Sequence, residues 1–265
     1  MNGQFIPSDT HHDGTPDCQM KSMLLQSDSI WTGATVACVL AMSCRRPIAA
    51  VLCFGLAAAF KPQAIFLGPL LVGFLISCRA WPLLPLVALP YTLLALPMLM
   101  AGRDAPSVFL VYLSQATSPA EPATSNAASL WAWLPASLEP LVLVVGVIIA
   151  IMVGVGLVLV SCRSSRLAGD QLVTGAALCC TLMPFLLPKM HDRYFYAGEV
   201  FTAISMCLRP SLLSAFVGSQ TAGLLTYQIF LLGLSVWRVQ VAAIFNLLVC
   251  IILFWAWVNR SKSTG

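Results

Sequence analysis

The sequence LVLVVGVIIAIMVGVGLVLVS, residues 141–161, contains no charged side chain. It is about as long as the 20 or so residues that an α-helix needs to cross the hydrocarbon core of a bilayer. The rest of the chain is similar, since 59% of its 265 residues are hydrophobic and only 9% are charged. A soluble domain carries about 25% charged residues. The composition therefore excludes a soluble globular domain and predicts a membrane protein.

Apolar runs along the chain predict an all-α fold, a polytopic bundle of transmembrane helices. Several runs are short, notably the two on either side of Lys61, so some helices are expected to be broken or re-entrant. We expect about seven to nine crossings. The runs are 29–44, 47–60, 62–78, 81–100, 141–161, 171–187, 196–208, 211–234 and 241–258.

The bundle divides the chain into a disordered polar tail (1–26), a transmembrane domain (27–259) with a long outer loop (101–139), and a short cytoplasmic tail (260–265). Trp131 and Trp133 fit an aromatic belt at the membrane surface. Residues 108–113 include apolar positions that suit an interfacial helix. The loop is open to two interpretations, a lid over an outer cavity or a simple interfacial anchor.

The distribution of charge predicts the orientation of the chain. Cytoplasmic ends of membrane helices collect Lys and Arg, so the following residues mark the cytoplasmic side, together with one acid, Asp170: Arg45, Arg46, Arg79, Arg163, Arg166, Arg209, Arg260 and Lys262. The sequence thus predicts a multi-pass protein of the plasma (inner) membrane with a cytoplasmic C-terminus. The opposite side carries charges of both signs, which indicate a polar cavity or a reactive site.

Other classes of partner receive little support. The net charge of +4 is dispersed singly among apolar runs, so no nucleic-acid partner is predicted. The ten cysteines have no metal-ligand spacing and are interpreted as small buried hydrophobes. His11, His12 and Asp13 are interpreted as solvated residues of the tail. No cofactor is assigned, and the need for a divalent cation is left open.

The segment 187–199, LPKMHDRYFYAGE, concentrates polar side chains between two apolar runs. Its mixture of charged and aromatic residues is typical of a wall that holds a ligand, although a polar loop between two helices would have a similar composition. The candidate binding residues of this segment are His191, Asp192, Arg193, Tyr194, Tyr196 and Glu199.

Two further stretches carry isolated charges on the same predicted face. Lys61, in FKPQ (60–63), either snorkels to the interface or pairs with an anion, and the proximity of His191 and Arg193 favours an anionic phosphate. Asp28, in QSDS (26–29), either caps the first apolar helix or orients a ligand hydroxyl or a lysine.

Three stretches together resemble bacterial membrane mannosyltransferases of the GT-C class: QSDS (26–29), GLAAAFKPQAIFLGPLLV (55–72) and PKMHDRYFYAGEV (188–200). The resemblance implies a transferase that moves a sugar, mannose by analogy, from a polyprenyl-phosphate-linked sugar to an acceptor at the outer membrane face. Membrane lipids surround it. The resemblance assigns donor phosphate and sugar contacts to Lys61, Gln63, His191, Asp192, Arg193 and Tyr194, and acceptor or sugar contacts to Asp28, Tyr196 and Glu199.

The sequence departs from that family before Gln26. GT-C enzymes place an acidic residue, which deprotonates the acceptor hydroxyl, in a first outer loop after an initial transmembrane helix. Residues 1–26 contain no apolar helix. The catalytic residue is therefore unknown, and we expect the chain to be N-terminally truncated and inactive alone. A lipid-carrier flippase or a transporter is the alternative function, and a structural membrane subunit is a third.

Overall fold

The computed structural model describes residues 16–110, 124–125, 127–135, 138–163, 169–232 and 238–259. These residues are almost entirely helical, which confirms the all-α class. The α-helices are α1 (Pro16–Ser43), α2 (Pro47–Phe60), α3 (Gly68–Ser77), α4 (Ala88–Met100), α5 (Ala105–Phe109), α6 (Glu139–Arg163), α7 (Gly169–Leu186), α8 (Tyr196–Leu208), α9 (Leu213–Leu232) and α10 (Val239–Val258).

Short 3-10 helices and two very short strands connect these elements. Strand β1 (Thr124–Ser125) pairs in parallel with β2 (Met190–His191), with Thr124 opposite Met190. The pairing holds part of the predicted outer loop against the polar segment 187–199. The 3-10 helices are Pro62–Leu67, Trp81–Val87, Leu130–Trp133, Asp192–Phe195 and Pro210–Leu212.

Within the described residues, four helical stretches are long and apolar enough to cross a membrane: Trp81–Met100, Glu139–Cys162, Gly169–Leu186 and Val239–Val258. Pro47–Phe60 and Pro62–Ser77 are apolar but shorter. The membrane character of the chain agrees with the sequence prediction. The predicted seven to nine crossings exceed the four long helices and are not confirmed.

Prolines set one of the sharpest boundaries. A residue before proline is driven away from helical backbone angles, and Lys61, which precedes Pro62, is extended (φ −149°, ψ 133°). Helix α2 therefore ends at Phe60, and a 3-10 helix begins at Pro62, where the missing N–H of proline is harmless. Because Lys61 lies after the last residue of α2, its side chain does not follow the helical spacing of the side chains in α2.

Helix α7 lies in the centre of the bundle. It packs against α1, α3, α6, α8 and α10, and its residues from Gly175 to Cys180 are all buried. Trp257 packs directly against the backbone of Gly175, where a Cβ would lie only 2.8 Å from Nε1 of Trp257. Helix α6 instead exposes a series of large apolar side chains, including Ile151 and Met152. In a bilayer such a surface contacts lipid.

Some predicted boundaries need correction. Helix α1 begins at Pro16, so the disordered tail predicted for 1–26 is wrong from Pro16 onward. A proline is well suited to the first turn of a helix, and polar residues can extend an apolar one. Residues 1–15 and 260–265 lie outside the described residues.

The outer loop also differs from the prediction. Trp131 is buried, and its Nε1 donates a hydrogen bond to the carbonyl of Leu186 (2.8 Å), so it packs inside the protein and not in an aromatic belt. Trp133 is exposed, as a belt would require. Val108 and Phe109 belong to the short helix α5, whereas residues 111–113 of the expected interfacial helix lie outside the described part.

Candidate functional site

An ion pair between Asp28 and Lys61 is the first part of the site. Asp28 lies inside α1, and Nζ of Lys61 donates to its Oδ1. Nε1 of Trp31 donates to the same oxygen over 3.1 Å. The side chains are only 10% and 19% exposed, for Asp28 and Lys61 respectively. Lys61 therefore pairs with an anion of the protein, and Asp28 orients a lysine and does not cap a helix.

The second part is the segment that joins α7 to α8. Lys189 has a positive φ (57°), a conformation that is unfavourable for a residue with a Cβ. It lies directly before β2, and the chain then forms the 3-10 helix Asp192–Phe195 and enters α8 at Tyr196. Asp192 and Phe195 are buried in this helix. The HDRYFY motif is thus a tight connection that is packed against the bundle.

Aromatic contacts bring this segment to the FKPQ stretch. The ring of Tyr194 lies 6.4 Å from that of Phe66 and 5.3 Å from that of His191, both measured between ring centroids. Phe66 and Gln63 belong to the same 3-10 helix, in which side chains three residues apart lie on the same side. Gln63 therefore occupies the face that contacts the segment containing His191 and Tyr194.

Tyr227 of α9 lies within electrostatic reach of four residues of the site. Its phenol interacts electrostatically with Asp192 and Glu199, and also with Asp28 and Arg193. Sequence reasoning missed Tyr227 because it lies in the apolar run 211–234. The neighbouring polar residues Thr226 and Gln228 were the available signal in that run.

Glu199 and Tyr196 lie at the start of α8, beside the same cluster. Glu199 is half-buried and faces α9, where the absence of a side chain at Gly223 leaves room for its carboxylate. One turn further, the hydroxyls of Thr202 and Ser219 lie 2.9 Å apart and join α8 to α9. Tyr196 is half-buried. All nine predicted site residues thus lie on elements that meet at one end of the bundle.

Asp192 has an unusual environment. Asp192 is only 6% exposed to solvent. Burial raises the pKa of its carboxyl group, and the backbone hydrogen bond from Arg193 and the charges of Arg193 and His191 act in the opposite direction. Its Oδ2 has no hydrogen-bond partner among the protein groups that the structure describes, and the same holds for Oε1 of Gln63.

A pocket of about 160 Å³ lies nearby, between α2, α4 and α5. Ala59, Tyr91, Leu94, Arg103 and Ser107 contribute to its walls, but none of the nine predicted site residues does. The prediction that Lys61, His191 and Arg193 open into one outward cavity therefore stays a prediction.

The described residues contain no group of three or more His, Cys, Asp or Glu side chains that could hold a metal ion. His11, His12 and Asp13 fall outside those residues. Among the cysteines that the structure describes, Cys38, Cys179, Cys180 and Cys250 are free and buried, as predicted for small hydrophobes, whereas Cys44 and Cys207 are exposed.

Comparisons of the chain with protein-family models, with curated proteins and with solved structures found no match.

Proposed function

We propose that this protein is a glycosyltransferase-like protein of the plasma membrane. Its site binds the donor of a reaction in which a sugar, mannose by the resemblance described above, passes from a polyprenyl-phosphate carrier to an acceptor at the outer face. Turnover by this chain alone is not expected, because no catalytic residue is assigned. The observation that supports this proposal is the meeting of three separate polar stretches with Tyr227 at one end of an apolar bundle. Ionisable groups are costly in a membrane protein, and where they gather they usually serve a function.

The residues of this cluster suit the proposed reaction. An acceptor hydroxyl oxygen would attack the anomeric carbon, the bond from that carbon to the phosphate oxygen would break, and polyprenyl phosphate would leave with the bonding electrons. The hydroxyl proton would pass to a general base, for which no residue of this chain is assigned. The guanidinium of Arg193 can bind phosphate oxygens in a bidentate manner, and His191 can add a further donor. Because Lys61 already pairs with Asp28, Arg193 carries the larger share of phosphate binding.

The proposal includes a topology. The chain would cross the membrane about seven to nine times, with the short apolar helices Pro47–Phe60 and Pro62–Ser77 each covering part of the bilayer. The C-terminus would then be cytoplasmic. A fluorescent protein fused after Gly265 tests this orientation, because fluorescence is expected only when the fusion is cytoplasmic. A fusion without fluorescence would indicate the opposite orientation.

Carrier binding tests the function directly and does not require turnover. We expect the reconstituted chain to bind polyprenyl phosphate more tightly than polyprenol of the same length. Arg193→Ala should weaken binding of polyprenyl phosphate about 10- to 100-fold, because a hydrogen bond to a charged group contributes about 1.5–3 kcal/mol. Arg238→Ala, at an exposed arginine before α10, is the matched control and should leave the affinity unchanged. Equal affinity for the two ligands would refute the phosphate site.

A second assay separates a transferase from a flippase. Liposomes that contain the protein receive a radiolabelled polyprenyl-phosphate-sugar together with candidate acceptors. Movement of the carrier between leaflets would replace this proposal with the flippase alternative, whereas carrier binding without movement supports the glycosyltransferase-like protein. Labelled acceptor would contradict the expectation that the chain is inactive alone.

A further inference from the structure

We infer that Asp192 and Gln63 bind the hydroxyl groups of the transferred sugar, so that the sugar and the phosphate of the donor occupy different parts of the site. This assignment rests on the proposed function, and it divides a set of residues that the family resemblance treats as one. It concerns ground-state recognition of the donor and requires no chemical step.

The assignment begins with the two oxygen atoms that have no partner. Oδ2 of Asp192 and Oε1 of Gln63 are both buried without a hydrogen-bond partner among the described protein groups. Both atoms are acceptors. A buried polar atom that stays unsatisfied costs about 1–3 kcal/mol, and more when it is charged. Each atom therefore favours a ligand that brings a hydrogen-bond donor.

Charge decides which end of the donor substrate Asp192 and Gln63 contact. A phosphate offers only acceptor oxygens and negative charge, which a carboxylate and an amide oxygen repel. A sugar offers several hydroxyl groups, and an O–H donor to a carboxylate forms a short, charge-assisted hydrogen bond. The sugar thus matches Asp192 and Gln63, while the phosphate matches the cationic Arg193.

The fold places the two acceptors on facing elements. Gln63 shares a side of its 3-10 helix with Phe66, whose ring contacts Tyr194, two residues after Asp192. Asp192 also interacts electrostatically with Tyr227 and Glu199 across the same region. A polyhydroxylated ring that enters between the two elements could donate to both oxygens, with Tyr194 beside it.

The test compares carriers with and without the sugar. Binding of polyprenyl-phosphate-mannose, polyprenyl-phosphate-glucose and bare polyprenyl phosphate is measured for the wild-type chain, Asp192→Asn, Gln63→Met and Arg193→Ala. The wild type should bind at least one sugar-bearing carrier about tenfold more tightly than the bare carrier. In Asp192→Asn the backbone N–H of Arg193 donates to the amide oxygen of the new side chain, so its NH₂ group takes the place of Oδ2. The tighter binding of the sugar-bearing carrier should then disappear.

Gln63→Met and Arg193→Ala separate the sugar contacts from the phosphate contact. Gln63→Met has a similar shape without the acceptor and should reduce the same preference, even where Asp192→Asn fails to fold. Neither variant should weaken binding of bare polyprenyl phosphate, and Asp192→Asn can only tighten it because a negative charge is removed, whereas Arg193→Ala should weaken all three carriers.

Equal binding of all three carriers by the wild type would overturn this assignment and leave the phosphate site standing. The same holds if the Asp192 and Gln63 variants keep the sugar preference, or lose affinity equally for every carrier. Failure of the wild type to bind any carrier would instead refute the proposed function.

Discussion

The two ends of the bundle each carry an ion pair between distant elements, but in very different surroundings. At the end that carries Asp28, Lys61 and the segment 187–199, here called the Lys61 end, the paired side chains are 10% and 19% exposed. At the opposite end, the Arg209 end, Nε of Arg209 lies 4.0 Å from Oδ2 of Asp170. The cations are buried to a similar degree, since the side chain of Arg209 is 18% exposed, but the side chain of Asp170 is 39% exposed. The ends therefore differ in the acid, which is buried at the Lys61 end and partly solvated at the Arg209 end.

The difference indicates what each end is for. The Arg209 end is rich in exposed arginine, including Arg45 and Arg46, and this pattern suffices to orient a membrane protein. Burying the Asp28–Lys61 pair costs desolvation energy that a hydrophobic pair would avoid. Neither stability nor topology therefore explains the Lys61 end, and this favours the binding site proposed above.

The largest expected effect comes from breaking the buried pair. Lys61→Met should lower the free energy of unfolding by about 3–5 kcal/mol, because it leaves the Asp28 carboxylate buried without its cation. Asp170→Asn, which breaks the pair at the Arg209 end, should cost only about 0–1 kcal/mol. Chemical denaturation of the detergent-solubilised protein measures both values.

The double variant Asp28→Leu with Lys61→Met is the control for this comparison. It removes both charges, so much of the lost stability should return. If Lys61→Met and Asp170→Asn cost the same, the contrast between the two ends would be wrong.

A smaller effect is expected from two glycines at the starts of helices. A Cβ at Gly198, near the Lys61 end, would lie 3.1 Å from the backbone oxygen of Cys180 and closer still to Oγ1 of Thr181. Gly198→Ala should therefore cost about 1–3 kcal/mol through overpacking. Gly169→Ala, at the Arg209 end, meets only Cβ of Ser43 at 3.8 Å and should be neutral or slightly stabilising. Equal costs would show that packing is similar at the two ends.

Much of the local structure could be predicted from the sequence. The run 47–60 coincides with α2 because prolines fix both of its boundaries. Local rules of this kind depend only on neighbouring residues. The start of α1 at Pro16 was missed because hydropathy detects membrane burial and does not detect a polar extension of a helix.

The assembly of the site was only partly predictable. Lys61, His191 and Arg193 on one predicted face suggested a shared anion site, and the Phe66–Tyr194 contact agrees with the two stretches lying together. The partner of Lys61 and the participation of Tyr227 depend on how α1 and α9 pack. The sequence offered Asp28 as one residue that could orient a lysine, but packing between distant helices leaves no local pattern that chooses this alternative or points to Tyr227.

The smallest expected effect is a pH dependence that belongs to the Lys61 end. Burial raises the pKa of Asp192 above its ordinary value of 3.8, so the folded protein holds this proton over a pH range in which the unfolded chain has released it. The stabilisation is complete below pH 3.8 and is lost as the pH rises through the folded pKa. The slope contributed by one proton cannot exceed about 1.4 kcal/mol per pH unit.

Other carboxyl groups titrate in the same range, so the measurement is a difference between variants. Unfolding free energies are compared between pH 4 and pH 7 for the wild type and Asp192→Asn. The wild type should lose stability relative to Asp192→Asn as the pH rises, because asparagine cannot release a proton. Parallel profiles for the wild type and Asp192→Asn would mean that burial does not raise the pKa of Asp192, and the contrast between the two ends would then rest on Asp28 and Lys61 alone.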